Sequence, residues 1–136
     1  MTARWLKQVV GFALIGFAVY LLASPAWVGR VLGRPATTTA QWINLRASWA
    51  GPVLGFGGFV LWLHALRPWL RTTLGLLGWS MAGVGAARAV GLAIEGLPTG
   101  WPGTKQLGFL IVEILLALGC ALAIRAMDRR AAIAGR

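Results

Sequence analysis

The chain has 136 residues, 58% of them hydrophobic and 12% charged, with a mean hydropathy of +0.74, a balance that excludes a soluble domain of this length and indicates a membrane protein. Thirteen Lys and Arg against three Asp and Glu give a formal charge of +10. Most of these cations punctuate apolar runs instead of lining one face, so they read as flanks of membrane helices, and nucleic acid is not expected as a partner. A single cysteine, Cys120, and a single histidine, His64, allow no intrachain disulfide and make too small a ligand set for zinc or haem, so no metal and no cofactor is expected.

Four apolar runs, 5–23, 43–66, 72–94 and 106–127, reach the ~20 residues needed to cross about 30 Å of hydrocarbon. Backbone in lipid must satisfy its own hydrogen bonds, and helices do so most locally. The predicted fold is therefore all-α: one domain over residues 1–136, an integral membrane bundle of four transmembrane helices.

The first run, Trp5 to Ala23, follows Arg4 and Lys7 and precedes Ser24-Pro25-Ala26. That order also suits a cleaved signal peptide, but the run is long enough to span and is read as a span. Residues 24–35, SPAWVGRVLGRP, open with a Ser at the N-cap and a Pro in the first helical position. They are predicted to form a short helix on the outer membrane surface, with a partner-binding loop as the alternative. The second run carries Pro52 in its first turns, which should bend the helix and open a cleft near the outer surface. Gly51, Gly55 and Gly58 in this run, and Gly83, Ala87 and Gly91 in the third, recur at helical spacing. Such stripes let backbones approach closely, either within the bundle or across a homo-oligomer contact.

Eight basic residues, Arg4, Lys7, Arg67, Arg71, Arg125, Arg129, Arg130 and Arg136, flank the spans on one side, and Arg30, Arg34 and Lys105 on the other. The positive-inside rule then places both termini in the cytoplasm. Tryptophan, which prefers the headgroup zone, agrees: Trp5, Trp62 and Trp69 fall near the inner ends, Trp27, Trp42, Trp49 and Trp101 near the outer ends, and Trp79 deeper.

The fourth run contains Glu113, about seven residues and about 10 Å below its outer start. Arg88 lies at nearly the same depth in the third run, an antiparallel neighbour across a short loop. Either charge alone costs about 2.5–3.5 kcal/mol in hydrocarbon, so the two are expected to pair, the arginine offering parallel bonds to the carboxylate. Arg46 enters the second span from the same side with Asn44 and Ser48 nearby, and Glu95 closes the third. One reading is a structural ion pair with Arg46 and Glu95 solvated at the interface. The other is an outward-facing polar pocket lined by Arg46, Arg88, Glu95, Glu113, Asn44 and Ser48, since intramembrane ionisable residues tend to mark a ligand or proton path.

The segment NLRASWAGPVLGFG, then R-A-V-G at Arg88 to Gly91, E-G-L-P at Glu95 to Pro98 and the lone Glu113 together resemble a family of small bacterial four-helix inner-membrane proteins catalogued only as a domain of unknown function. The resemblance covers about residues 43–124. It departs from the family at Ala50-Gly51, where a Gly-Gly pair is common, and at Glu95, where Asp is common. It implies a bacterial inner (cytoplasmic) membrane location, brings no activity with it, and draws attention to Arg46, Arg88, Glu95, Gly96 and Glu113.

The function expected from these residues is binding of a membrane lipid or lipid-soluble amphiphile through the outer pocket, or service as an accessory subunit in a homo-oligomer or larger membrane complex. Two arginines suit a phosphate or carboxylate head. The alternative is a membrane-embedded enzyme, an isomerase or epoxide-opening type, with Glu113 as general acid or base and Arg88 stabilising developing charge. A transport path is disfavoured because the inner half offers no acidic relay beyond His64.

Overall fold

A computed structural model of the chain describes residues 3–33, 35–63 and 69–134, and their regular structure is entirely helical. The elements are α1 (Ala3–Ala23), α2 (Pro25–Val31), α3 (Thr39–Leu45), a π-helical turn (Arg46–Ala50), α4 (Gly51–Trp62), α5 (Trp69–Glu95) and α6 (Trp101–Ala134). His64, Arg34, Arg67 and Arg136 lie outside the described residues, as does the end of the 43–66 run.

Two helices, α5 and α6, are long and apolar enough to cross a membrane, and a third candidate arises if α1 and α2, bent by 88°, are counted together. The expected second span is helical from Thr39 to Trp62 but in three segments, of which α4 has only 12 residues. Pro52 explains the break. It has no N–H, and its ring would strike the Ser48 carbonyl four residues back in a regular helix. The preceding turn is widened, with the Gly51 N–H bonded to the Arg46 carbonyl, and Pro52 falls in the first turn of α4, where a missing N–H costs little. The bend expected at Pro52 is thus a wide turn one step earlier.

Local chemistry sets the other boundaries. Pro25 begins α2 as expected, but the Ser24 side chain makes no capping bond. A full capping box instead starts α3, where Thr38 and Gln41 each satisfy the other's backbone N–H. The end of α5 is Gly96, which takes φ +78° and donates its N–H to the Leu92 carbonyl, a left-handed stop that glycine adopts without a Cβ penalty.

The long helices run antiparallel, and each packs mainly on its neighbour in sequence: α1 on α4, α4 on α5, α5 on α6. Among the described residues α1 and α6 share no substantial contact, so the layer stays open between them. Lys7 at the start of α1 donates to the Leu61 and Leu63 carbonyls (3.1 and 2.9 Å) at the end of α4, where carbonyls lack intrahelical donors. Between α4 and α5 the backbones touch: a Cβ on Gly55 would strike the Trp79 carbonyl, and one on Gly83 the Gly51 carbonyl. Gly91 in turn lies against Ile43. The glycine stripes are consumed inside the chain.

Burial is inverted relative to a water-soluble protein. The buried residues are mainly small, as Ala18, Ala47, Ala50 and Ala87, or polar, as Arg46, Arg88, Gln106 and Glu113, while Phe12, Val31, Leu70, Leu115 and Leu122 are exposed. Among the described residues Ile43 alone of the large side chains is fully enclosed. In water such a surface would aggregate; against lipid tails it costs nothing. The chain is a membrane protein.

Candidate functional site

Arg46, Arg88, Glu95 and Glu113 gather at one end of the layer, where α5 finishes and α6 begins. Arg88 and Glu95 are seven residues apart on α5 and so share a face, as do Gln106 and Glu113 on α6. Arg88 donates from Nε to both Glu113 oxygens (3.1 and 3.0 Å) and from Nη2 to Oε1 at 2.7 Å. Its Nη1 donates to Asn44 Oδ1 at 3.1 Å and to Gln106 Oε1. Gln106 Nε2 closes the circuit onto the same Asn44 oxygen at 3.1 Å. The guanidinium also stands 5.2 Å from the Phe109 ring centroid, a favourable cation–π distance. Arg88, Gln106 and Glu113 are all buried, and among the described residues no buried side-chain polar atom lacks a partner.

A second ion pair lies beside the first. Arg46, buried at the π-turn, donates from Nη1 to Glu95 Oε1 at 2.5 Å and from Nε to the Leu22 carbonyl at 3.1 Å. It ties the end of α1 to the end of α5, and the C-terminal carbonyls of a helix favour a cation. The pairing of Arg88 with Glu113 is as expected. Arg46 and Glu95 are not independently solvated, because each is the other's partner. Gln106 is a member of the network that sequence reasoning missed, although its seven-residue spacing from Glu113 is a usable signal.

Open space lies next to this network and not within it. A pocket of about 270 Å³ beside the π-turn is lined by Gln41, Asn44, Ser48 and Trp49, with Pro35 and Ala36 at its edge. Of the expected ligand-binding residues, Asn44 and Ser48 line it, while Arg46, Arg88, Glu95 and Glu113 do not. The pocket meets the charges only through Asn44.

That contact fixes the chemistry of the pocket. Arginine has donors only, so the atom of Asn44 facing Arg88 must be its oxygen, and the Asn44 NH2 is left over. Gln41 is held the same way: its Oε1 accepts from the backbone N–H of Thr37 (2.7 Å) and Thr38 (3.2 Å), which leaves its NH2 over as well. With the Ser48 hydroxyl, the wall is rich in donors. Among the described residues no three His, Cys, Asp or Glu side chains come together as a metal site.

The chain matches the Domain of unknown function (DUF4345) over residues 2–124 and belongs to that family. No curated protein and no solved structure matches it. The resemblance drawn from residues 43–124, to a family catalogued only as a domain of unknown function, therefore holds, and the match extends across α1 and α2.

Proposed function

We propose that this protein spans a bacterial inner membrane four times, with both termini cytoplasmic, and binds the acceptor-rich head of a lipid or other amphiphile in the pocket beside the π-turn. In this reading α1 and the segmented helix from Thr39 to Trp62 complete the spans, and α2, turned 88° from α1, lies along the outer interface. The observation that carries the binding role is that two amides with occupied oxygens line one pocket. The oxygens of Asn44 and Gln41 accept from the protein itself, so their NH2 groups are the donors these residues have to offer, and both line the pocket together with Ser48, a set suited to phosphate or carboxylate oxygens. Arg88 acts here as a positioning residue: it holds Asn44.

The enzyme alternative asks Glu113 to exchange a proton with substrate. Both of its oxygens accept from Arg88 and it is buried, which favours a role in holding the wall over one in catalysis. Native mass spectrometry of gently extracted protein tests the binding reading. The wild-type chain should carry a defined adduct. Asn44→Asp, which keeps an acceptor for Arg88 and Gln106 but removes the NH2, should lose it while staying folded. An adduct retained equally in Asn44→Asp and in a pocket-filling Ser48→Leu would overturn the assignment.

A further inference from the structure

At the opposite end of the layer, where α5 begins and α6 ends, a larger cleft of about 410 Å³ opens between Trp62, α5 and α6. Small residues from both helices line its floor, among them Gly78, Cys120 and Ala121; a Cβ on Gly78 would sit 3.0 Å from that of Cys120. Where Gly78, Ala82, Ala117 and Ala121 line it, the side chains are too small to fill the space between the helices. Trp62 and Trp79 add apolar walls.

The mouth of the cleft is charged. Arg71 donates to Asp128 from Nε at 3.0 Å and from Nη2 at 3.4 Å, and its guanidinium lies 4.9 Å from the Trp62 ring centroid. Arg125 also lines the cleft and makes no ion pair among the described residues. Two guanidinium groups thus face one carboxylate at the rim, with Arg129 and Arg130 following on α6. The cleft is open sideways, because α6 packs on α5 and among the described residues has no substantial contact with α1 or α4.

We infer that this cleft is a second, independent site, and that its occupant is an anionic phospholipid of the surrounding membrane, one acyl chain along the Gly78–Cys120–Ala121 floor and its phosphate on Arg125 and Arg71. An apolar chain alone would leave Arg125 unanswered, and a free anion would leave the floor empty. A volume of about 410 Å³ falls within the roughly 300–1,000 Å³ of small-molecule sites, and a basic rim attracts anionic headgroups.

The test is native mass spectrometry of the full chain released from nanodiscs of mixed phosphatidylglycerol and phosphatidylcholine. The wild type should retain phosphatidylglycerol in preference to phosphatidylcholine. Arg125→Gln, at an exposed position, should lower that preference roughly fivefold, the effect of about one basic residue near a charged surface. Ala121→Leu should reduce retention of either lipid by filling the floor, and Gly16→Ala, on α1 with open space around it and outside both pockets, should leave it unchanged. Equal retention of the two lipids by wild type, preference for phosphatidylcholine, or retention that survives both Arg125→Gln and Ala121→Leu would overturn the inference. So would loss of phosphatidylglycerol in Ser48→Leu alone, since that result assigns the lipid to the pocket beside the π-turn.

Discussion

Helix α5 makes two seams, and they are built on different principles. Against α4 it brings backbone to backbone, with Gly51 and Gly55 meeting Gly83, Val84 and Trp79. Against α6 it is held by polar bonds at two places, Arg88 to Gln106 and Glu113 near one end and Arg71 to Asp128 near the other. Lipid supplies no hydrophobic drive for helices to associate, so close packing and interhelical hydrogen bonds are the means available. The first seam uses one and the second uses the other. A seam fastened at points leaves gaps between its fastenings, and two clefts of about 410 and about 370 Å³ lie along the α5–α6 junction.

The sharpest way to break this contrast is to cut the buried fastening. Glu113→Gln leaves Arg88 enclosed without its counter-charge, and removal of one partner from a buried pair costs about 3–5 kcal/mol. Reversible unfolding in mixed detergent micelles should show a loss of that order, and a loss below about 1 kcal/mol would mean that packing, not the ion pair, holds α6. Next comes the glycine seam. Gly83→Ala puts a methyl group into the backbone of Gly51 and Gly55, an overpacking expected to cost about 1–3 kcal/mol in the same unfolding measurement. A neutral result would show that α4 and α5 can separate freely.

The second fastening should matter less. Arg71 and Asp128 have side chains 28% and 53% exposed, and pairs of that kind contribute about 0–1 kcal/mol. Arg71→Gln should therefore shift unfolding only slightly, and an effect as large as that of Glu113→Gln would erase the distinction between the two ends. The smallest effect belongs to Gly85→Ala. Its new methyl would meet Glu113 Cβ at an ordinary 3.5 Å, and replacing glycine by alanine within a helix gains up to about 1 kcal/mol. It is the control for Gly83→Ala two residues earlier: stability should hold or rise, and a marked loss would mean that the α5–α6 seam is as tight as the other.

What could be read from the chain depended on whether an interaction follows from depth and periodicity. Arg88 and Glu113 were legible as partners because Arg88 lies about seven residues before the end of its span and Glu113 about seven after the start of the next, and two antiparallel neighbours then bring them level. The stripe of Gly51, Gly55 and Gly58 was legible as a packing surface for the same reason, although only coordinates distinguish a partner within the chain from a second copy. The π-turn was not legible as such. Pro52 announces a disturbance, but the residue alone does not say whether the chain bends or widens a turn. Arg46 with Glu95 was missed because both sit near span ends, where solvation is an equally good expectation. The donor-rich pocket depends on which way two amides face, and that is decided by Arg88 and by the backbone of Thr37 and Thr38, which no spacing rule connects to Ser48.

The order in which the helices pack, each on the one before it, has a consequence for biosynthesis. Contacts of this kind need little waiting, since α5 finds α4 already made. Arg88 is the exception. Asn44 precedes it, but Glu113 follows it by 25 residues, which a ribosome adds in ~1–5 s at common elongation rates. For that interval the nascent chain holds an arginine destined for the membrane interior without its counter-charge. Whatever accompanies Arg88 until α6 arrives, water, a headgroup or the translocation machinery, must then be exchanged for Gln106 and Glu113, so α6 neutralises the charge that α5 brought in.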